Sequence, residues 1–223
     1  MYGVKGQTVE VNNSIVRLSG GEGIRADGGS LVLKKSRVEK CSGWSVVAAS
    51  CSFDIDSNTI SENGGGIKTE GSVNGVLSNI SQNEILNNGS DAIANMRGGS
   101  YSLRWQIVGN LIQGNSGVGF LSESHCDNVS FVINKNRMIG NAGILSVRNL
   151  YSQDVSRDTS FVFTENTLSN NKGLSGNMMS NWRWFNLEQV NCKVVIGGNV
   201  FTNSGSVFSG ASNWGHRRRC WWI

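Results

Sequence analysis

FDIDSNTISEN (53–63), WQIVGNLIQGN (105–115) and FVINKNRMIGN (131–141) are versions of one eleven-residue phrase. SNISQNEILNN (78–88) and FVFTENTLSNN (161–171) are two more copies of it. In every copy Asn occupies the sixth and eleventh positions, and apolar residues recur around the first Asn. A phrase that recurs every 20–50 residues indicates a repeat architecture, in which each copy is one structural unit.

Three fainter copies extend the repeat to VEVNNSIVRLS (9–19), LVLKKSRVEKC (31–41) and VVIGGNVFTNS (194–204). The sixth positions of the eight copies are separated by 22, 22, 25, 27, 26, 30 and 33 residues. A constant phrase with a drifting interval predicts a solenoid, in which fixed rungs are joined by loops of variable length. The fold class that we expect is therefore all-β, with about eight coils of a single-stranded parallel β-helix.

The first, third and eighth positions of each phrase are the predicted core positions. They hold apolar residues in every copy except at Ser78, and most of these residues are Val, Ile or Phe rather than Leu. This composition, with alternating Gly-containing segments after each phrase, favours strands over the Leu-rich repeat with a helical return arm. The absence of Pro fits central strands, which need every N–H for pairing.

The Asn positions predict two ladders along the solenoid axis. Asn tolerates the left-handed backbone that a sharp corner requires, and its amide can bond the Asn amide of the next coil. We therefore expect Asn136→Ala to destabilise more than the loop substitution Asn149→Ala. The first ladder comprises Asn58, Asn83, Asn110, Asn136, Asn166 and Asn199, and the second comprises Asn63, Asn88, Asn115, Asn141 and Asn171.

The repeated phrase resembles the parallel β-helix repeat of the pectate-lyase-like superfold, over residues 9 to about 208. The resemblance, together with the rule for parallel crossovers, implies a right-handed helix. The expected domain division is a parallel β-helix at 1–208 followed by an irregular basic, Trp-rich tail at 209–223.

Polysaccharide-cleaving enzymes of that superfold need clustered acids beside the glycosidic bond. Their marks are N-T-D, D-D, G-H-G and R-I-K segments, but Asn58-Thr59 is followed here by Ile60. Gly66-Ile67-Lys68 resembles an R-I-K segment, but Gly66 occupies the position of the Arg. We therefore predict no catalytic residue and no cofactor, and a polysaccharide lyase, hydrolase or degenerate sugar-binding descendant is the alternative.

Two groups of side chains carry potential ligand chemistry. Asp54 and Asp56 are expected to point outward from one rung, either as a weak cation site or as a solvated strand face. A second group, expected in the loop before Phe131, fits either a Zn²⁺ site, a nucleophilic Cys or an ordinary polar loop. Its members are Glu123, His125, Cys126 and Asp127.

Trp182, Arg183 and Trp184 form the candidate binding surface. They lie in the longest interval between rungs, and outward indoles beside Arg would suit stacking on a sugar or on a protein partner. The competing interpretation is an inserted strand that packs both indoles against the solenoid. Loops on a rigid scaffold commonly carry function, which makes this interval the first place to look for a binding face.

Charge and apolar patterning limit the partners. The net charge is +4, and three basic residues are concentrated at 217–219, so no basic stripe for nucleic acid is expected. No apolar run is long enough for direct membrane insertion by this segment. The N-x-[ST] sequons are no more frequent than chance predicts for a chain so rich in Asn, Ser and Thr. The candidate glycosylation sites are Asn12, Asn79, Asn88 and Asn128.

The style of the repeat is also similar to the β-helix repeats of the animal bark beetle (anakonda) family, which are membrane-anchored proteins of tricellular junctions. That resemblance implies a fragment of a larger extracellular or cell-surface protein, with a role in adhesion, junction scaffolding or protein or glycan binding. It implies no residue-level site. A third hypothesis is an intracellular substrate adaptor, similar to β-helix repeats in some F-box proteins.

Overall fold

The solenoid is built from three parallel sheets, and the chain visits sheet 1, sheet 2 and sheet 3 in turn along each coil. The computed structural model describes residues 7–71, 73–74, 77–101, 104–127, 129–148, 160–172, 179–180 and 193–204. Within these ranges no helix is long and apolar enough to cross a membrane. The predicted all-β parallel solenoid is confirmed. The proposed boundary at residue 208 and the tail at 209–223 lie outside the described residues.

Sheets 1 and 2 are joined in every coil by a corner of two residues. Sheet 1 contains β1 (Thr8–Asn12), β4 (Ser30–Lys34), β7 (Ser52–Asp56), β11 (Leu77–Ser81), β14 (Arg104–Val108), β17 (Ser130–Asn134), β20 (Ser160–Thr164) and β23 (Lys193–Gly197). Sheet 2 contains β2 (Ile15–Arg17), β5 (Arg37–Glu39), β8 (Thr59–Ser61), β12 (Glu84–Leu86), β15 (Leu111–Gln113), β18 (Arg137–Ile139), β21 (Thr167–Ser169) and β24 (Val200–Thr202).

Sheet 3 has strands of unequal length, unlike the other two sheets. It contains β3 (Ile24–Asp27), β6 (Trp44–Ala49), β9 (Gly65–Glu70), β13 (Ile93–Tyr101), β16 (Val118–Asp127), β19 (Gly143–Arg148) and β22 (Met179–Ser180). The short strand β10 (Val73–Asn74) pairs with the end of β13. These strands are the alternating, Gly-containing segments that follow each sequence phrase.

The full repeat extends over about five turns, so the predicted number of eight coils was too high. Sheets 1 and 2 each contain eight strands, but both ladder positions are Asn only in the coils between β7 and β21. Ser14, Ser36 and Cys41 occupy ladder positions before these coils, and Ser204 occupies one after them. The outer coils keep the strand pattern without the complete pair of amides, and the apolar pattern counted them as equivalent.

The core is filled by columns of like side chains, as the apolar positions predict. Ile55, Ile60 and Ile107 are completely buried. Ser78, the single polar residue in the pattern, is also buried, and its hydroxyl has no hydrogen-bond partner. The next coil compensates for this small side chain with Trp105, whose ring centroid lies 5.0 Å from that of Phe53 two coils away. A large residue thus fills the gap that a small neighbour leaves.

Both Asn ladders are confirmed. In the first, Nδ2 of Asn110 donates to Oδ1 of Asn136 at 2.9 Å, and the backbone N of Asn110 donates to the same oxygen at 2.9 Å. Nδ2 of Asn110 also donates to the Ile80 carbonyl of the preceding coil at 2.8 Å. Each amide therefore bonds in both directions along the axis. The second ladder repeats this pattern, for example from Asn115 to Asn141 at 2.9 Å.

The ladder Asn residues do not adopt the left-handed backbone, contrary to our expectation. The residue immediately before each ladder position has positive φ instead, as at Lys135 (φ 56) and Glu165 (φ 55) before the first ladder. Gly140 (φ 63) and Asn170 (φ 53) hold the equivalent position in the second. The preceding residue makes the bend, and this leaves the Asn side chain free to point into the coil.

Variation in coil length is concentrated where sheet 3 leads to the next sheet 1 strand. We call this the variable corner, and the corners that hold the first and second ladders the Asn corners. The variable corner spans 28–29, 50–51 and 71–76 in the first three coils. In the next two it spans 102–103 and 128–129, and there the added residues belong to the longer strands β13 and β16. Eleven residues of sequence separate β19 from β20. By contrast, the first Asn corner is 57–58, 82–83, 109–110 and 135–136 in successive coils.

Candidate functional site

The variable corner carries an added piece of sheet that we call the corner extension. It consists of residues 73–74, 99–101 and 125–127. Strand β13 pairs with β9 only as far as Met96, but continues through a bulge and pairs Tyr101 with Asp127 of β16 and with Asn74 of β10. Three successive coils thus continue sheet 3 past Met96, where its pairing with β9 ends.

A network of ion pairs covers the outer face of sheet 3 in the first three coils. Arg25 contacts Glu22 at 3.2 Å, Asp27 at 3.0 Å and Glu70 at 2.8 Å, so its guanidinium reaches from β3 across β6 to β9. Lys68 lies 2.7 Å from Glu70. Ile67 fills a core position with no exposed surface, while its neighbour Lys68 faces outward.

The network sets the protonation of its members. The hydrogen bond to Asp27 raises the pKa of Arg25, against the opposing effect of burial, and Glu70 adds to the rise. The hydrogen bond from Lys68 lowers the pKa of Glu70, and Arg25 lowers it further. Glu70 is therefore a carboxylate held by two cations. A general acid needs a raised pKa near the working pH, so Glu70 has the opposite property.

An apolar cluster follows the ion pairs along the same outer face. Ala94, Val118 and Leu121 are buried, and the partly exposed Trp44 and Met96 pack against them. Trp44 pairs in register with Gly65, and a Cβ built on Gly65 would lie 2.7 Å from Cδ2 and Cε3 of the indole. The ring therefore depends on the glycine at this position. Our sequence reasoning missed this contact, because Trp44 and Gly65 are recognisable as a pair only once the register is known.

Asp54 and Asp56 both lie on the outer face of sheet 1, as predicted, but neighbouring side chains occupy their oxygens. Lys34 Nζ lies 2.6 Å from Asp54 Oδ2, and Asn79 donates to Asp54 Oδ1 at 3.1 Å. Burial opposes ionisation of Asp54, but Lys34 and Asn79 outweigh it and lower the pKa. Asp56 accepts hydrogen bonds from Ser57 and Ser81. This arrangement favours the solvated strand face over a cation site.

The group of potential metal ligands lies on a strand, which corrects the expected loop. Glu123, His125, Cys126 and Asp127 all belong to β16, and the last three are part of the corner extension. Among the residues whose side chains the structure describes, which do not include 123–127, no group of three or more His, Cys, Asp or Glu residues could hold a metal ion.

The two described thiols are buried and free. Cys41 occupies a position of the second ladder, where its backbone N donates to Oδ1 of Asn63 at 3.0 Å. Burial raises the pKa of Cys51 to about 11, so this thiol is protonated at neutral pH. A nucleophilic Cys requires the thiolate, and the environment of Cys51 suppresses it.

The sequons occupy different environments. Asn12 is exposed, while Asn79 is partly buried and hydrogen-bonded to Asp54. Asn88 is a buried member of the second ladder whose Nδ2 donates to Asn115 and Ile60, so the folded coil has no free amide there for a glycan. Glycosylation at Asn88 stays a prediction, and the buried, hydrogen-bonded amide disfavours it in the folded coil.

Asn128 and the Trp182, Arg183 and Trp184 surface lie outside the described residues.

Comparison with known proteins identifies the solenoid and nothing finer. Residues 2–152 match the family model described as a right handed beta helix region. This match supports the right-handed turn that the crossover rule implies. No curated protein and no solved structure matches the chain. The resemblance to the bark beetle family gains no support from these comparisons.

Proposed function

We propose, from the premise that the chain belongs to the right-handed β-helix family, that it is a non-catalytic binding module of a larger protein. Its binding face is the outer surface of sheet 3 together with the corner extension. A protein or glycan partner would bind there, in cell adhesion or junction scaffolding.

The observation that carries this proposal is the paired piece of extra sheet that is added next to one corner, the variable corner. Insertions in a solenoid commonly build a binding face, because they leave the stacked core unchanged. Here the first Asn corner keeps two residues in every coil and the second holds three to six residues from β2 to β19. The variable corner reaches six residues at 71–76, and β10 and the lengthened ends of β13 and β16 are added beside it. The second edge of β10 pairs with no strand among the described residues, so it could offer backbone hydrogen-bonding groups to a partner.

The chemistry of sheet 3 favours binding over catalysis. Glu22, Asp27 and Glu70 are all ion-paired with Arg25, and Glu70 has a second cation in Lys68. Acid–base cleavage of a glycosidic bond needs one carboxyl that is protonated and one that is free to attack or to activate water. Carboxylates fixed in ion pairs lack this division of roles, but they can still accept hydrogen bonds from hydroxyl groups.

A shortened variant tests the proposed face. Replacing residues 71–76 with Gly-Gly would give the third coil the same two-residue corner as 28–29, and would remove β10. The immobilised chain would be probed with arrays of extracellular protein domains and of glycans. We expect the shortened variant to lose a partner that the parent chain binds, with a melting temperature that stays close to the parent value. Thr167→Lys on the outer face of sheet 2 is the control, and it should bind normally. Equal binding by the shortened and parent chains would contradict the proposal.

A second assay separates binding from the enzymatic alternative. The chain would be incubated with polygalacturonate and with neutral polysaccharides, and reducing ends and unsaturated uronides would be measured. We expect neither product to appear. Release of either one would establish the lyase or hydrolase alternative.

The extracellular location has its own test. When the chain is expressed through a secretory pathway that attaches N-glycans, we expect modification at the exposed Asn12 and none at Asn88. Asn12→Gln should remove the corresponding glycosidase-sensitive mass. A fully folded, secreted chain that carries a glycan on Asn88 would contradict the ladder as well as the assignment.

A further inference from the structure

We infer that Trp44 is a stacking platform for a pyranose ring of a neutral glycan, on the outer face of sheet 3. The inference rests on the proposed binding function and names the class of ligand. It follows from how the indole lies on Gly65, from its exposure, and from the charges around it.

The indole lies with its face on the sheet. A Cβ on Gly65 would lie 2.7 Å from Cδ2, 2.7 Å from Cε3 and 3.0 Å from Cε2 of Trp44. Cδ2 is a ring-fusion carbon bonded to three other ring atoms, so it can be approached this closely only through the face of the ring. Gly65 is buried beneath the ring while Trp44 stays partly exposed. One face of the indole therefore rests on the strand, and the opposite face is directed away from it.

The ring is held rigidly. Trp44 packs against the buried cluster of Ala94, Val118 and Leu121. The backbone carbonyl of Trp44 accepts a hydrogen bond from the backbone N of Gly23 at 3.0 Å, which fixes the strand that carries the ring. An aromatic side chain fixed in this way binds with little further loss of conformational freedom, which is the property of a good anchor. The apolar face of a pyranose is the complementary surface.

Polar groups border the platform on both neighbouring coils. Glu22 lies beside Trp44 on one side, because Gly43 N donates to the Gly21 carbonyl and Gly23 N donates to the Trp44 carbonyl. Asp91 follows on the other side, where Gly66 N donates to its carbonyl at 3.0 Å and its Oδ1 accepts from Val118 N at 2.7 Å. A carboxylate can accept several hydrogen bonds, so Glu22 can accept from a sugar hydroxyl group while it stays ion-paired with Arg25.

The charge of this face selects against acidic sugars. Arg25 and Lys68 supply two positive charges, but they are already paired with Glu22, Asp27 and Glu70, and Asp91 adds a further acid. The surface around Trp44 is therefore negative in sum. A uronate or sulfated sugar would be repelled, whereas a neutral pyranose is accepted.

The test uses the whole chain and defined hexasaccharides. Binding of cellohexaose, mannohexaose and xylohexaose would be compared with binding of hexagalacturonate by calorimetry. We expect at least one neutral hexasaccharide to bind and hexagalacturonate to bind more weakly. Trp44→Leu keeps apolar cover over Ala94 and Val118 but removes the ring, and it should weaken binding about tenfold. Trp44→Phe should retain most of the affinity.

Two controls keep the stacking role distinct from a structural one. Gly65→Ala places a methyl group against the indole, so it should weaken binding without altering residue 44. Ile139→Ala, on the outer face of sheet 2, should leave affinity unchanged.

Unchanged affinity in Trp44→Leu, or preference for hexagalacturonate, would overturn the inference. So would an absence of hexasaccharide binding in a chain that still binds a protein through its corner extension, and the proposed function would then survive. Cleavage of a neutral hexasaccharide that still depended on Trp44 would instead refute the non-catalytic function and preserve the platform.

Discussion

The first Asn corner and the variable corner differ in whether the coil can accept added residues there. At the first Asn corner, amides such as Asn110 and Asn136 satisfy one another and the neighbouring carbonyls inside the solenoid. An added residue there would break the alignment of the next coil. At the variable corner the chain leaves the stack, so residues 71–76 and the end of β13 can be added without moving the core. The comparison teaches that one repeat can combine a corner of constant length with a corner that accepts insertions.

The largest expected effect comes from inserting Gly-Ser at each kind of corner. Placed between Ser57 and Asn58, the insertion breaks the bonds from Asn58 to Leu33 and Asn83. Because each unsatisfied buried polar group costs about 1–3 kcal/mol, we expect a loss of at least about 3 kcal/mol in the free energy of unfolding. Placed after Gly71, the same insertion should cost less than about 0.6 kcal/mol, since it merely lengthens a loop. Urea unfolding of both variants gives the comparison, and equal losses would remove the distinction between the corners.

Removing one ladder amide should have the next largest effect. Asn136→Ala leaves the donor of Asn110 and the Ile107 carbonyl without their partner, so we expect a loss of about 2–4 kcal/mol. Asn149→Ala is the matched control because Asn149 falls in the variable corner by sequence. We expect it to change the free energy of unfolding by less than about 0.5 kcal/mol. Similar melting temperatures for the two variants would count against the ladder.

The left-handed residues before the ladders predict smaller changes of opposite sign. Gly140 has φ 63 and open space where its Cβ would be, so Gly140→Ala isolates backbone strain and should cost about 1–2 kcal/mol. Lys135 has φ 56, and Lys135→Gly relieves that strain. Its gain should stay below about 1 kcal/mol, because glycine also gains freedom in the unfolded chain. Thermal unfolding measures both; a stabilising Gly140→Ala would refute the assignment of the bend to this residue.

The smallest expected difference between the two corners is in how the free energy of unfolding depends on pH. Glu70, the last residue of β9 before the variable corner, has a pKa below that of the unfolded chain because of Lys68 and Arg25. Its contribution is therefore present above the unfolded pKa and is lost as pH falls through the folded pKa. The neutral amides of the Asn corners contribute no such dependence. We expect Glu70→Gln to flatten the acidic limb of a stability–pH curve, by less than about 1 kcal/mol for so exposed a network. An unchanged acidic limb would show that the ion pairs contribute nothing to stability.

The part of the fold that rests on periodicity was predictable. Alternating apolar residues and recurring Asn identified the strands of sheets 1 and 2 and both ladders, because stacking requires like residues at like positions. Ser78 was recognisable as an exception, but its compensation by Trp105 depends on a contact between coils that no local pattern contains. The left-handed positions were assigned one residue too late, since Lys, Glu and Gln at these sites give no conformational signal.

The candidate site was harder to predict, because it too depends on contacts between coils that no local pattern contains. Arg25 and Glu70 are 45 residues apart, and they meet only because β3, β6 and β9 stack in register. Trp44 draws attention only when Gly65 is known to lie beside it. The most conspicuous aromatic motif of the sequence, Trp182 and Trp184, lies outside the described residues. A site formed by residues of different coils cannot be predicted from a periodic sequence pattern unless the register between the coils is known.

A double-mutant cycle on Asn110 and Asn136 tests the stacking of amides most directly. Because Nδ2 of Asn110 donates to Oδ1 of Asn136, the account predicts a coupling energy of about 1–3 kcal/mol between the two Ala substitutions. Asn58 and Asn166, four coils apart, should be additive within about 0.5 kcal/mol. Additivity at the adjacent pair, or equal coupling at both pairs, would contradict the ladder.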